Sequence, residues 1–109
     1  MKEKLPNMMT VATPQFQTFF TERRRRFLEY MATNYPRLDA EAIRYEDGSR
    51  YIRIFRGSSC EAFIDKTNGD VLKSASWRAP AKWPRGNIFD ASNGLGTYDA
   101  HTGPAYLRG

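Results

Sequence analysis

Between Lys73 and Asn87 the chain gathers the residue types that grip a polyanion. Lys73, Arg78, Lys82 and Arg85 fall there with no acid among them; the flanking acids are Asp70 and Asp90. Trp77 and Trp83 are interleaved with these cations. Nucleic acid is held by cations that displace its condensed counterions, and unpaired bases stack on flat aromatic faces. The tryptophans have a second use. Indoles are mostly buried in folded proteins, so the pair can instead anchor an irregular segment to a core, leaving the cations to solubilise it. At the level of sequence both uses stay open.

Two other places bear on binding. The run Arg50–Arg56 alternates Ile52 and Ile54 against Tyr51, Arg53 and Phe55, so Arg53 with its aromatic neighbours can extend a basic, stacking surface across a sheet. Arg23 falls inside an apolar helical stripe. Its stem packs there while its head snorkels to water, or the head protrudes with Arg24 and takes a phosphate or carboxylate bidentately.

Enzymatic chemistry finds little footing. Asp99-Ala100-His101 offers an acid and a base without a placed nucleophile, and its histidine reads as exposed. Cys60 reads as a small packed residue at a strand start rather than a nucleophile. Asn93-Gly94-Leu95-Gly96-Thr97 lacks the lysine of a phosphate loop and reads as a flexible turn. A single histidine and a single cysteine argue against a zinc site and exclude an internal disulfide. No cofactor is expected.

The 109 residues suit one domain, and 17 Lys and Arg against 12 Asp and Glu give a net charge of +5. No apolar run is long enough to span a membrane, and Met1–Pro6 has no signal-peptide core.

The elements that must position these residues follow from periodicity. Residues 1–12 read as a mobile lead-in. Thr13-Pro14 reads as an N-cap and first helical residue, and Tyr35-Pro36 as a stop, giving a helix over 13–34. At about 100° per residue, Phe16, Phe19, Phe20, Phe27, Tyr30 and Met31 form one stripe. Glu22, Arg25, Arg26 and Glu29 fall opposite, paired at i,i+4, so Arg23–Arg26 is not one basic patch. Residues 41–73 read as an antiparallel meander: Glu41–Glu46, Arg50–Arg56, Cys60–Lys66 and a return from Asp70. Turns at Asp47-Gly48-Ser49, Gly57-Ser58-Ser59 and Asn68-Gly69 separate the strands. In the third strand Cys60, Ala62 and Ile64 take one face; Glu61, Phe63 and Asp65 take the other. Residues 74–109 hold five of the eight glycines and three of the six prolines. They read as an irregular arm anchored by Trp77, Trp83, Ile88 and Phe89.

The segment Ala62-Phe63-Ile64-Asp65-Lys66-Thr67-Asn68-Gly69-Asp70-Val71-Leu72-Lys73, followed by Ser76-Trp77-Arg78-Ala79-Pro80-Ala81-Lys82 and Arg85-Gly86-Asn87-Ile88-Phe89, resembles a recurrent pattern in small proteins of tailed bacteriophages without an assigned activity. The resemblance covers about residues 62–89 and leaves the helix outside. It implies a phage product acting in the host cytoplasm or the virion, and it transfers no catalytic residue.

The expectation is thus an α+β domain: a long amphipathic helix on a three- or four-stranded antiparallel meander, with a Trp/Pro/Gly-rich C-terminal arm wrapping the sheet. The expected activity is non-enzymatic binding of nucleic acid through Lys73, Trp77, Arg78, Lys82, Trp83 and Arg85, with Arg53 and Arg23 in support. The alternative is a phage factor, a virion component or an inhibitor of a host enzyme, that meets an acidic protein surface with the same residues.

Overall fold

Proline at the first helical position and a proline after Tyr35 frame the only helix among the described residues, α1 (Pro14–Asn34). The computed structural model describes residues 8–76 and 78–104. Thr13 occupies the N-cap but makes no side-chain cap bond. Its hydroxyl instead accepts from the Thr10 N–H at 2.9 Å. Phe16, Phe19, Phe27 and Met31 are buried, with Arg23 among them, and Phe20 and Tyr30 flank the stripe half-buried. Each buried phenylalanine contributes about 1.5–3 kcal/mol through area removed from water. On the outer face Arg25 pairs with Glu22 and, at 2.5 Å, with Glu29, while Arg26 reaches Glu22 at 3.5 Å. The arginine run is therefore split around the helix, as its spacing requires.

Residues 8–12 are not a mobile lead-in. Met9 is buried in the core, its N–H donates to the Lys66 carbonyl at 2.9 Å, and Val11 packs alongside. Residues 1–7 lie outside the described residues.

Five strands follow the helix: β1 (Ile43–Asp47), β2 (Tyr51–Arg56), β3 (Ser59–Asp65), β4 (Asp70–Ser76) and β5 (Ala79–Asn87). They form one antiparallel sheet in sequence order. The meander thus has one strand more than expected, because the start of the presumed arm is β-structure. Pro80, Pro84 and Gly86 argue against a strand, but β5 is an edge, where a missing N–H donor is tolerated. Its pairing with β4 shifts register three times, consistent with those residues. The β3–β4 turn also differs from a two-residue Asn-Gly turn. Only Gly69 adopts positive φ (83°), and its N–H donates to the Asp65 carbonyl at 2.7 Å. The Asp65 carboxylate accepts from the Thr67 N–H and hydroxyl, fixing the turn from inside.

The helix covers one sheet face, where Ile52, Ile54, Ala62, Ile64 and Val71 are fully buried. Simple alternation would put Glu61 on the opposite face. A β-bulge prevents this: Ile54 pairs with Ala62 but Phe55 pairs with Cys60, leaving Glu61 as the extra residue. The bulge turns its side chain under the helix, a known use of such irregularities. The other sheet face is apolar in its own right. Phe63 meets Tyr51 edge-on with centroids 5.5 Å apart, and Phe55 lies between the guanidinium groups of Arg44 (4.3 Å) and Arg53 (5.4 Å).

Beyond β5 the chain turns back to close the helix side of the core. Ile88, Leu95 and Tyr98 are buried with the helical phenylalanines. The Asn93–Thr97 stretch is held rather than flexible: Asp90 Oδ1 accepts from the Ser92 N–H, the Ser92 hydroxyl and the Gly94 N–H at 2.8–3.0 Å. Asn93 and Gly94 take φ of 52° and 82° to make this possible. A short pair, β6 (Tyr98–Asp99) and β7 (Gly103–Pro104), completes the described fold. Of the expected anchors that fall among the described residues, Ile88 is buried while Trp83 and Phe89 are 61% and 50% exposed; the fourth, Trp77, lies outside the described residues.

Candidate functional site

On the sheet face away from the helix, Arg50, Arg53 and Arg78 line one open cleft of about 290 Å³ together with Tyr51, Phe63, Gly48 and Ser49. Four elements build it, with β3 supplying Phe63. The β1–β2 turn supplies Arg50, β2 supplies Arg53 and Tyr51, and the β4–β5 connection supplies Arg78, whose N–H is held by the Ser76 hydroxyl at 3.2 Å. Alternation along β2 points Tyr51 and Arg53 the same way. Arg78 joins them in lining the cleft from a sequence position 25 residues after Arg53.

Two of the cations are positioned by carboxylate partners. Arg50 pairs with Asp65 at 3.2 Å and lies 5.3 Å from the Tyr51 ring. Arg53 pairs with Glu46 at 2.6 Å and touches the Phe55 face. Burial pushes the Asp65 carboxyl up, but the hydrogen bonds from Thr67 and Arg50 outweigh it and hold the group below its usual range. The carboxylate therefore stays ionised and fixes Arg50 as a full cation.

The stretch Lys73–Arg85 does not act as one patch. Lys82 lies 5.3 Å from the ring of the exposed Trp83, and Arg85 Nη1 donates to the Trp83 carbonyl. Lys73 is turned away from Arg78: its Nζ donates to the Pro104 carbonyl at 2.7 Å, and it lines a separate pocket with Arg56 and Glu61. Arg53, which lies 25 residues before Arg78, joins Arg78 where Lys73 does not. Trp77 falls outside the described residues.

Arg23 neither snorkels nor meets an outside ligand. It is 1% exposed, and the carboxylate it takes bidentately is internal: Nε and Nη2 donate to Glu61 at 2.8 and 2.7 Å. Nη1 donates to the carbonyls of Asp99 (3.3 Å) and Ala100 (2.5 Å), and Nη2 also to that of His101 (3.3 Å). All five guanidinium N–H groups are in use, so the buried charge is fully satisfied. Tyr98 donates its hydroxyl to Glu61, and Arg23 lies 5.1 Å from the Tyr98 ring and 5.3 Å from the Phe27 ring. Burial, then the Glu61 charge, push the Tyr98 phenol well above its ordinary range, so it remains a hydrogen-bond donor. This centre ties helix, sheet and C-terminal segment together. Sequence reasoning missed it because its members are 37 to 78 residues apart and the bulge hides the facing of Glu61.

The remaining reactive types are also engaged. Burial pushes the Cys60 thiol up, away from the reactive thiolate. His101 is not exposed alone; its ring stacks on Tyr30 at 4.8 Å, with Tyr35 at 5.9 Å. No helix among the described residues is long and apolar enough to cross a membrane.

No curated protein and no solved structure matches the chain. A family of unknown function, DUF7717, matches residues 7–107, nearly the whole length. The helix, the five-stranded sheet and both sides of the arginine cleft all fall within that span, and the chain belongs to the DUF7717 family.

Proposed function

We propose that this protein is a non-enzymatic binding protein whose ligand is single-stranded nucleic acid, held on the sheet face opposite the helix. The observation that carries the reading is the cleft itself: three guanidinium groups around the rings of Tyr51 and Phe63, in a space of about 290 Å³. Guanidinium forks match phosphate oxygens, and ring faces accept unstacked bases. Exposed Trp83 with Lys82 beside it offers a second stacking and phosphate position on the neighbouring edge strand. The resemblance at residues 62–89 supports an accessory role in phage infection, in the host cytoplasm or the virion.

The test is fluorescence polarisation with labelled oligothymidylate and oligouridylate across a salt series. Log affinity should fall linearly with log salt, and each lost phosphate contact should flatten the slope by about 0.7. Arg78→Ala with Lys82→Ala should therefore reduce it by about 1.4. Trp83→Ala should weaken binding by about 1–3 kcal/mol if a base stacks there. No polarisation change at low salt would overturn the reading. Retention of one acidic protein after nuclease treatment, with no oligonucleotide binding, would assign the face to a protein partner instead.

A further inference from the structure

The two edges of the sheet differ. β5 carries Pro80 and Pro84 and shifts register three times against β4, and the Thr97 hydroxyl donates to its Arg85 carbonyl at 2.7 Å. Prolines and irregular pairing keep a further strand from adding there. β1 has neither device: its five residues run in unbroken register with β2, without proline or glycine. At the two ends of that pairing the Gly57 N–H donates to the Ala42 carbonyl at 2.8 Å, and the Gly48 N–H to the Tyr51 carbonyl at 2.9 Å. Backbone groups alternate between the two sides of an antiparallel strand. Arg44 and Glu46 therefore bond toward β2, and the N–H and carbonyl groups of Ile43, Tyr45 and Asp47 point out of the sheet edge. Among the described residues no strand pairs with that side.

The side chains of β1 decide what can pair with it. Charged side chains normally guard an edge strand against a second one. Here their order is Arg44, Tyr45, Glu46. When a second copy of β1 lies antiparallel with Tyr45 opposite Tyr45, Arg44 of each chain falls opposite Glu46 of the other, at the positions where facing side chains approach most closely. The two-fold registers one step to either side set Arg44 against Arg44 or Glu46 against Glu46, and like charges oppose both. Within one chain Arg44 bonds Glu46 at 3.0 Å, both nearly half exposed, and Glu46 also holds Arg53 at 2.6 Å. Pairing between copies shares this exposed ion pair and needs no unpaired charge. The helix adds an apolar margin on the same side. Phe20 meets Tyr45 edge-on at 4.9 Å, and steps of four residues from Phe20 lead to Arg24 and the exposed Leu28.

We infer that the partner of this edge is a second copy of the chain: two β1 strands join antiparallel about a two-fold axis at Tyr45, and the two sheets become one. Tyr45 bonds Tyr45 of the second copy through the backbone, Ile43 bonds its Asp47, and the Leu28 side of each helix borders the seam. Five residues a side make a small interface, so the dimer is weak, with a Kd of about 1–100 μM. The inference stands apart from the nucleic-acid reading, which concerns a face of the sheet and not its edge.

Sedimentation velocity of the full chain from about 1 to 500 μM is the test. A monomer–dimer equilibrium is expected. Arg44→Glu and Glu46→Arg should each weaken it at least about tenfold, because each sets like charges opposite one another on both sides of the axis. Mixed in equal amounts, the two variants should pair with each other, since every facing pair is then again of opposite sign. Circular dichroism checks that each variant folds. Amide exchange followed by NMR reads the unsubstituted chain: exchange at Ile43, Tyr45 and Asp47 should slow as protein concentration rises, while Arg44 and Glu46, already bonded to β2, should not change. A monomer up to about 500 μM, a dimer indifferent to both substitutions, folded variants that fail to pair when mixed, or exchange at residues 43, 45 and 47 independent of concentration overturns the inference. Each of these outcomes leaves the salt-slope test of the cleft intact.

Discussion

Replacing Arg23 by methionine keeps the unbranched stem as far as Nε and removes the guanidinium charge that meets the buried Glu61. In the folded protein the Glu61 carboxylate then retains the Tyr98 hydroxyl, and Arg56 at 3.8 Å is too distant for a hydrogen bond. Removing one partner of a buried ion pair costs about 3–5 kcal/mol. Domains of this size are stable by about 5–15 kcal/mol. At about 4 °C per kcal/mol, the midpoint of thermal unfolding should fall by about 12–20 °C. The carbonyls of Asp99, Ala100 and His101 lose their donors as well. Amide exchange at residues 99–102 should therefore quicken beyond the global change. The double variant Arg23→Met with Glu61→Leu removes both charges and leaves Tyr98 without its acceptor, a loss of about 1–3 kcal/mol. It should be more stable than Arg23→Met alone. Chemical denaturation of the four proteins in the cycle gives the coupling energy. A double variant as unstable as the sum of the singles, or an Arg23→Met loss under about 1 kcal/mol, would refute the account of this centre as a mutually dependent pair.

Two further outcomes follow from the turns. Gly69→Ala places a methyl in the left-handed region (φ 83°) and 3.0 Å from buried Ile88 Cγ1, with the Phe89 ring nearer still at 2.6 Å. A loss of about 1–2 kcal/mol in thermal denaturation is expected, and an unchanged midpoint would show that the turn relaxes. The Asp90 carboxyl is held below its ordinary value of 3.8 by the Gly94 N–H and then, against burial, by Ser92 and Asn87. The Asp99 carboxyl is lowered likewise by the Thr102 N–H first. Both pKa values are depressed in the folded state, so their contribution is complete above the unfolded value of about 3.9 and is lost as the pH falls through the folded values. The unfolding midpoint should hold between neutrality and about pH 5, then drop below about pH 4; Asp90→Asn should flatten that drop, and an identical acid profile would count against it.

The parts of this fold that sequence reveals are those whose cause is local. The helical stripe, the outer i,i+4 pairs and the meander through β4 each rest on residues within one or two turns of each other. β5 escaped because its prolines and glycine are permitted only by its place at an edge, which is a property of the sheet. The facing of Glu61 escaped because one bulged residue reverses a strict alternation. Arg53 and Arg78 could be named as cations, but nothing in their neighbours indicated that they line one cleft while Lys73 turns the other way. Arg23 is the sharpest case: its position inside an apolar stripe announces an unusual arginine, and only the distant carboxylate and carbonyls say what it is for.

The Arg23 centre also bears on the order in which the protein can become itself. Its carbonyl partners are separated from it by 76 to 78 residues. A chain growing from its N-terminus must carry that guanidinium through synthesis of the helix and all five strands before Asp99, Ala100 and His101 exist to receive it. Helix and meander can form from near neighbours, but closing the largest loop comes late. Until then a nascent chain cannot bury Arg23 without leaving some of its donors unmet, so it is held short of premature closure, and the arrival of residues 99–101 is the step that locks the domain.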